Sequence, residues 1–432
     1  MILVDTALKR RAAAGNPVQF ALYGAGAMGK GIANQVLNHM TGINVPVICN
    51  RTVETAIAVY TSIGVAREDI VEVATSAALD EAIAAGRYAV TADPAVPAGA
   101  GRIEAVLDAT GHVDYGAVVA LHAIEGGKHI VLLNAELDGT VGPLLKTKAD
   151  AAGVVLTGCD GDQPAVQINL LRFVETLGLT PRVLGNIKGM QDRYRTPETQ
   201  AAFAKEWNQT PHMVTSFADG TKIAFEQAIT ANATGMTVAR RGMIGPEHRG
   251  LIDEVAAMYD IDELRSLGGI VDYCLGGLQS AGVYVFAEAV DDLQTHYLKY
   301  SKLGDGPLYS FYVPYHLMIF EAPISVTRAV LFDDAAIKPD GAPKVDVIAT
   351  AKRDLKVGET VDGLGGFMTY GLCETYAITR GDALLPIGIA EGAKLKRDVA
   401  KDQVLTYADV DLPTDSVAGR LRAEQDALFP LK

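Results

Sequence analysis

The sequence predicts an α/β fold: a doubly wound parallel sheet, then an α+β domain, then a small β-rich domain at the C-terminus. Three observations carry this expectation. Strand-like and helix-like apolar patterns alternate as far as residue 157. A glycine triplet, Gly24, Gly26 and Gly29, sits between the first strand pattern and the first helix pattern. The texture then changes near Gly158 and again near Pro343, where short strands and charged turns take over. The expected domains are residues 1–157, 158–342 and 343–432, since a chain of 432 residues exceeds what one core comfortably serves.

PVQFALYG (17–24) is an apolar run that reads as a buried strand, and INVPVICN (43–50) is a second. Between them KGIANQVLNHM sets Ile32, Val36, Leu37 and Met40 at helical spacing. YGAGAMGKGI therefore matches G-x-G-x-x-G in the strand–turn–helix context of a Rossmann dinucleotide site. Gly24 allows the tight turn, Gly26 the approach of a pyrophosphate, and Gly29 the packing of helix on strand. The phosphates would meet free N–H groups in the first helical turn, at Ala27 and Met28. A plain βα turn is the competing reading, in a chain with 44 glycines.

NAD sites usually place an acidic residue at the end of the second strand. Here Asn50, Arg51 and Thr52 follow it, with no acid before Glu54. Arg51 can pair with a 2′-phosphate, and Asn50 and Thr52 can add hydrogen bonds, so NADP(H) is expected over NAD(H). A solvated loop arginine is the alternative. VETAIAVYTSIG, SAALDEAIAAG and VDYGAVVALHAIEGGK then read as helices, AVLDATG and HIVLLNAE as strands. Ligands bind at the carboxyl ends of such strands. Ala109, Thr110, Gly111 and Asn134 are thus further cofactor candidates, and Glu136 a substrate candidate.

In the second domain GDQPAVQINLLRFVETLGL reads as a helix begun near Pro164, with Val166, Leu170, Leu171 and Val174 on its apolar face. PRVLGNIKGM and VDYCLGGLQSAGVYVFAEAV supply strands, and HMVTSFADGTKIAFE reads as a hairpin turning on Asp219–Gly220. The substrate site is expected between this domain and the first. The tail DSVAGRLRAEQDALF reads as an exposed amphipathic helix.

The net charge of −14, from 38 basic and 52 acidic residues, argues against nucleic acid or an anionic membrane as partner. A small-molecule substrate remains. Cys49, Cys159, Cys274 and Cys373 lie far apart, as reduced thiols of a cytoplasmic enzyme do, and no run approaches a membrane span or a signal peptide.

Lys188 stands at the end of a strand and before Gly189, where an ammonium could polarise a carbonyl or donate a proton. A solvated loop lysine is the plainer reading. Asp160 and Asp162 open a helix and could cap it; with Glu136 and Asp138 they could instead hold a divalent cation, Mg or Mn, and Asp162 is a further candidate proton donor. Arg193 and Arg195 could clamp a phosphate or carboxylate of the substrate. Asn232, among small residues, could meet a ligand or serve a turn. His316, after Tyr309, Tyr312 and Tyr315, is either a structural histidine or an acid–base group.

The phrase ATAKRDLKVGETV resembles the start of a SAF domain, with LPIGIAEGAKLKRDVAKDQVLTYADVDL as its second half. Together with YGAGAMGKGI, LDATG, GGKHIVLLNAELD, GDQPAVQINLLRFV, GGIVDYCLGG and GDGPLYSFYVPYHL, it resembles the homoserine-dehydrogenase-like group with a C-terminal SAF domain. The members in view are the 1-deoxy-D-xylulose 5-phosphate reductoisomerase-like enzymes. That resemblance implies an NADPH-dependent homodimer, a polyol-like phosphorylated substrate, a divalent cation and a place in isoprenoid biosynthesis. The chain departs from the pattern at Gln163, where a carboxylate would be a metal ligand or base, and in MQDRYRTP, where the group is rich in asparagine. Rival readings are a simple NADP-dependent dehydrogenase of a hydroxy, amino or sugar acid, and a non-catalytic NADP-binding sensor.

Overall fold

The computed structural model describes residues 3–278 and 281–431. The chain divides into two compact units: Met1–Asp162 with Leu317–Lys338, and Gln163–His316 with Pro339–Lys432. The expected boundaries differ from this in two respects. Residues 317–338 return to the first unit, because the helix Met318–Phe332 buries Ala322 and Val326 in that unit's core. Residues 339–432 share a unit with 163–316, because strands of the C-terminal part pack along the helix Thr221–Thr234.

The first unit is a seven-stranded parallel sheet: β1 (Val18–Tyr23), β2 (Ile43–Cys49), β3 (Ile70–Glu72), β4 (Tyr88–Thr91), β5 (Ala105–Asp108), β6 (His129–Leu132) and β7 (Leu156–Gly158). Its order is β3-β4-β2-β1-β5-β6-β7, so the winding reverses between β1 and β5. The strands read as continuous apolar runs because helices cover both faces, and nearly every residue of β1, β2 and β5 is buried. Register brings Tyr23 level with both Cys49 and Asp108, so three strand ends meet at the switch point. Doubly wound sheets bind ligands there. All four cysteines are free and buried, and burial pushes the Cys49 thiol up to about 12.

The second unit holds β8 (Thr180–Lys188), β9 (Ile270–Leu275), β10 (Val283–Glu288) and β11 (Leu308–Val313) in the order β11-β10-β8-β9. Only β8 and β9 run parallel in this sheet. The helices Gln163–Thr176 and Thr221–Thr234 pack against it. The C-terminal part adds two antiparallel pairs, β12 (Val345–Ala351) with β13 (Thr369–Thr375), and β14 (Lys394–Leu395) with β15 (Val410–Asp411).

The expected hairpin over 212–226 is instead a corner between two helices, Pro211–Ala218 and Thr221–Thr234. An Asp-Gly pair suits either role. Gly220 takes φ +91°, and the Asp219 carboxylate accepts the Thr221 N–H. Every residue from Ile223 to Asn232 is buried, so the second helix shows no one-sided apolar stripe to betray it. The C-terminal helix Val417–Leu428 is docked rather than exposed. Arg422 on it is fully buried and forms a two-pronged pair with Asp346 at 2.7 and 2.6 Å.

Candidate active site

In the first unit the glycine loop is shaped by what it excludes. Gly24 has φ +101°, and a Cβ there would lie 2.8 Å from the Ala109 carbonyl oxygen. A Cβ on Gly29 would lie 2.0 Å from the Gly24 oxygen, so helix and strand touch through bare backbone. A Cβ on Gly26 would meet nothing within 4 Å. That open space borders the N-terminus of the helix Ala27–His39, which no side chain caps. The arrangement suits a pyrophosphate resting on the N–H groups of the first turn, that of Ala27, Met28 and Gly29.

Asn50 braces the loop: its Oδ1 accepts the Ala25 N–H at 3.1 Å and its Nδ2 donates to the Thr52 carbonyl at 2.8 Å. Arg51 and Thr52 are exposed beside it, where the ribose of a bound dinucleotide would lie. Thr110 turns inward, its N–H and hydroxyl donating to the Asp108 carboxylate at 2.9 and 2.6 Å. Ala109 and Gly111 flank it, Gly111 at φ +64°.

Asn134 is buried with both ends of its amide engaged. It donates to Asp108 and to the His112 carbonyl, each at 3.0 Å, and accepts the Leu137 N–H as the cap of the next helix. It therefore ties the end of β5 and the loop after it to the start of the next helix. Burial raises the pKa of Asp108 above the usual carboxylate value, against the pull of these donors.

The expected cation set does not assemble. Among the described residues no three such side chains gather as ligands. The Asp160 carboxylate is taken by the Arg328 guanidinium at 2.8 Å and the Ser325 hydroxyl at 2.8 Å, all three groups buried. Glu136 and Asp162 are buried on the first unit's helix 135–151 and on the turn after β7. Asp138 is also buried, one of its oxygens lacks a hydrogen-bond partner, and desolvation pushes its carboxyl up to about 7.

In the second unit β8 presents Asn186 and Lys188 to the two helices that cover it. Lys188 Nζ donates to Glu226 Oε2 at 3.1 Å and to Gln163 Oε1. Asn186 Nδ2 donates to the same Glu226 oxygen at 2.6 Å and to Gln163 Oε1 at 3.3 Å, while Gln167 donates to Asn186 Oδ1 at 2.6 Å. Gln163 Nε2 is spent on the Gly282 carbonyl at 3.0 Å. Glu226, Asn186, Gln163 and Gln167 are buried, whereas a quarter of the Lys188 side chain is open. A lysine so held is an oriented ammonium with a carboxylate at its back, able to give a proton to an oxygen placed before it.

Asn232 does not join this network. Its Oδ1 accepts the Lys344 and Val345 N–H groups at 2.7 and 3.1 Å and its Nδ2 donates to the Val345 carbonyl, so it clamps the entry to β12 instead of meeting a ligand. Arg193 lies over the Tyr370 ring at 5.8 Å, and Arg195 pairs with Asp192 at 3.1 Å. His316 is half-buried on the loop after β11.

Glu226 is the residue that sequence reasoning missed, because its segment was read as a strand. The signal was present: KIAFEQAITANA carries one acid in a run made mostly of small and apolar residues. A helical reading buries that acid, and a buried carboxylate calls for a cation.

Residues 161–322, which include this network, match the family described as "Oxidoreductase DRL, catalytic domain". The match supports an oxidoreductase enzyme. No curated protein matches the chain. Among solved structures, a DOX-P reductoisomerase with fosmidomycin and magnesium is 14% identical, with 76% of this chain and 72% of that one covered, at a TM-score of 0.41. A probable dehydrogenase from Thermotoga maritima is 13% identical over 70% of each chain, at 0.35. A myo-inositol dehydrogenase from Lactobacillus casei, with NAD(H) and myo-inositol, is 17% identical over 42% of this chain and 49% of its own, at 0.32. The chain thus spans just under half of that last protein, and at these scores the likenesses carry no argument about function. Among the described residues no helix is long and apolar enough to cross a membrane.

Proposed function

We propose that the protein is an NADP(H)-dependent oxidoreductase acting on a small polyhydroxylated carbonyl compound, with Lys188 as the group that meets the reacting oxygen. The observation that carries this reading is the Lys188–Glu226–Asn186–Gln163 network, an ammonium fixed by buried partners and open on one side. NADPH held at the glycine loop would supply the hydride. Lys188 would stabilise the charge growing on the carbonyl oxygen and donate its proton there. Glu226 would orient Lys188 through their 3.1 Å ion pair.

Arg51 supports NADP(H) over NAD(H), being exposed at the end of β2 with no acid in the turn. Replacing Arg51 by Asp is expected to weaken NADPH relative to NADH in a binding titration. Equal affinity for both cofactors in the parent would remove Arg51 from this role.

Whether the carbon skeleton rearranges before reduction divides two versions of the reading. A reductoisomerase step on an α-hydroxyketone needs both oxygens held, usually by a cation. Gln163 bonded to Lys188, and Asp160 locked to Arg328, favour the plainer version, a single reduction or its reverse. A panel of sugar phosphates and sugar acids, followed by NADPH absorbance with and without chelator, tests both. Turnover indifferent to chelator supports the simple dehydrogenase; turnover lost with chelator supports the reductoisomerase. Intact cofactor binding with no turnover across the panel would point to a sensor. The homodimer and the cytoplasmic setting belong to this same proposal, and sedimentation checks the first.

A further inference from the structure

Lys352, just past β12, is a buried lysine whose three ammonium hydrogens all have acceptors. It donates to the Arg195 carbonyl at 2.8 Å, the Asp219 carboxylate at 2.9 Å and the Gly366 carbonyl at 2.7 Å. The three acceptors lie on three different segments. Arg195 is on the loop that leaves Lys188. Asp219 is at the corner that starts the helix carrying Glu226. Gly366 is on the loop that enters β13.

Loop and corner also touch directly. The Asp192 N–H bonds the Ala218 carbonyl at 2.8 Å, and a Cβ on Gly220 would lie 2.1 Å from Gln191 Nε2. The C-terminal part grips both. Tyr194 donates to Asp402 at 2.9 Å with Lys401 3.6 Å over its ring, while the Gly371 N–H bonds Thr221 Oγ1 at 2.9 Å and Cys373 Sγ lies 3.1 Å from the Ala224 carbonyl. Glu226 follows Thr221 by five residues, about 7.5 Å along the helix.

We infer that Lys352 is a positioning residue for the Lys188–Glu226 pair, through which the C-terminal β-rich part sets the geometry of the acid–base site. The inference rests on the reading of Lys188 given above. A buried ion pair is weak evidence for stability, but this one ties three segments to one point, and two of them lead straight to the pair. A displacement of about 1 Å at such a pair can cost about 10²-fold in rate.

The test is competitive labelling of the full-length chain with acetic anhydride, read by mass spectrometry, with exposed Lys9 as reference and Lys344 and Lys356 as reporters of the C-terminal part. Lys352→Met alone strands the Asp219 carboxylate and risks unfolding. The working variant is therefore Lys352→Met with Asp219→Asn, which is neutral on both sides. The expected result is NADPH affinity and Lys9 labelling as in the parent, with Lys188 labelled several-fold faster and Lys344 and Lys356 unchanged. Faster labelling of Lys344 and Lys356 with Lys188 unchanged would mean a merely structural tie and overturn the inference. So would a variant that labels like the parent throughout; should it fail to fold, Lys352→Gln with Asp219→Asn is read in its place, with the same outcomes for and against. Failure of the Lys188 reading itself would appear elsewhere, as parent turnover in Lys188→Met, and would leave the labelling result standing.

Discussion

The glycine loop of the first unit is made of backbone, whereas the Lys188 network of the second is made of side chains. At the loop the working parts are N–H groups and empty space, and the residues that matter are those lacking a Cβ. In the network the working parts are an ammonium, a carboxylate and two amides drawn from three separate elements. The first kind of site is damaged by adding atoms, the second by exchanging atoms of nearly the same shape. Substitutions that separate volume from charge therefore test the contrast.

The largest effect is expected at Gly29. A methyl there meets the Gly24 carbonyl at 2.0 Å, so Gly29→Ala should lower the unfolding temperature and weaken NADPH by more than about 10²-fold, or about 3 kcal/mol. Gly26→Ala is the control that sharpens it. Its methyl meets no protein atom, so affinity should fall with the unfolding temperature unchanged. Equal melting losses in both variants would break the assignment of Gly26 to the ligand.

Glu226→Gln changes no volume and removes the charge behind Lys188. Turnover should fall about 10- to 10²-fold, as for loss of a hydrogen bond between charged groups, with NADPH affinity kept. Parent turnover would make Glu226 a packing residue.

A smaller change, visible in stability alone, is expected from Asp138→Asn in the first unit. The Asp138 carboxyl is pushed up to about 7 by burial, while in the unfolded chain it titrates near its ordinary value. The folded state thus holds a proton that the unfolded state releases, and the parent loses stability as pH rises from about 4 through 7. At pH 8 the Asn variant should be the more stable by on the order of 2 kcal/mol, with the gap closing toward pH 4. A gap independent of pH would mean that Asp138 is not the buried acid its surroundings imply.

The same contrast explains what was legible in the sequence. The glycine loop is local: a strand, three glycines and a helix lie within 22 residues, from Val18 to His39, and backbone geometry dictates the spacing. Asn50 and Arg51 stand where the apolar run placed them, just past the end of β2 at Cys49. Lys188 was also visible, because a strand end before a glycine is a recognisable position. Its partners were not. Gln163 and Glu226 lie 25 and 38 residues away in sequence, and only the fold brings them together. Asn232 and Asp160 misled for a related reason: a buried polar residue announces that it has a partner, not which one. Asn232 found the β12 backbone and Asp160 found Arg328.

The central claim is that Lys188 serves the reacting oxygen, and Lys188→Met tests it most directly. The substitution keeps an unbranched side chain one atom shorter and removes the ammonium. Turnover would be followed by NADPH absorbance on the first carbonyl substrate that the panel reveals, with NADPH binding and unfolding temperature measured on the same preparation. The account predicts a folded protein that binds NADPH as the parent does and has lost about 10² to 10³ in turnover. Near-parent turnover in Lys188→Met would contradict it.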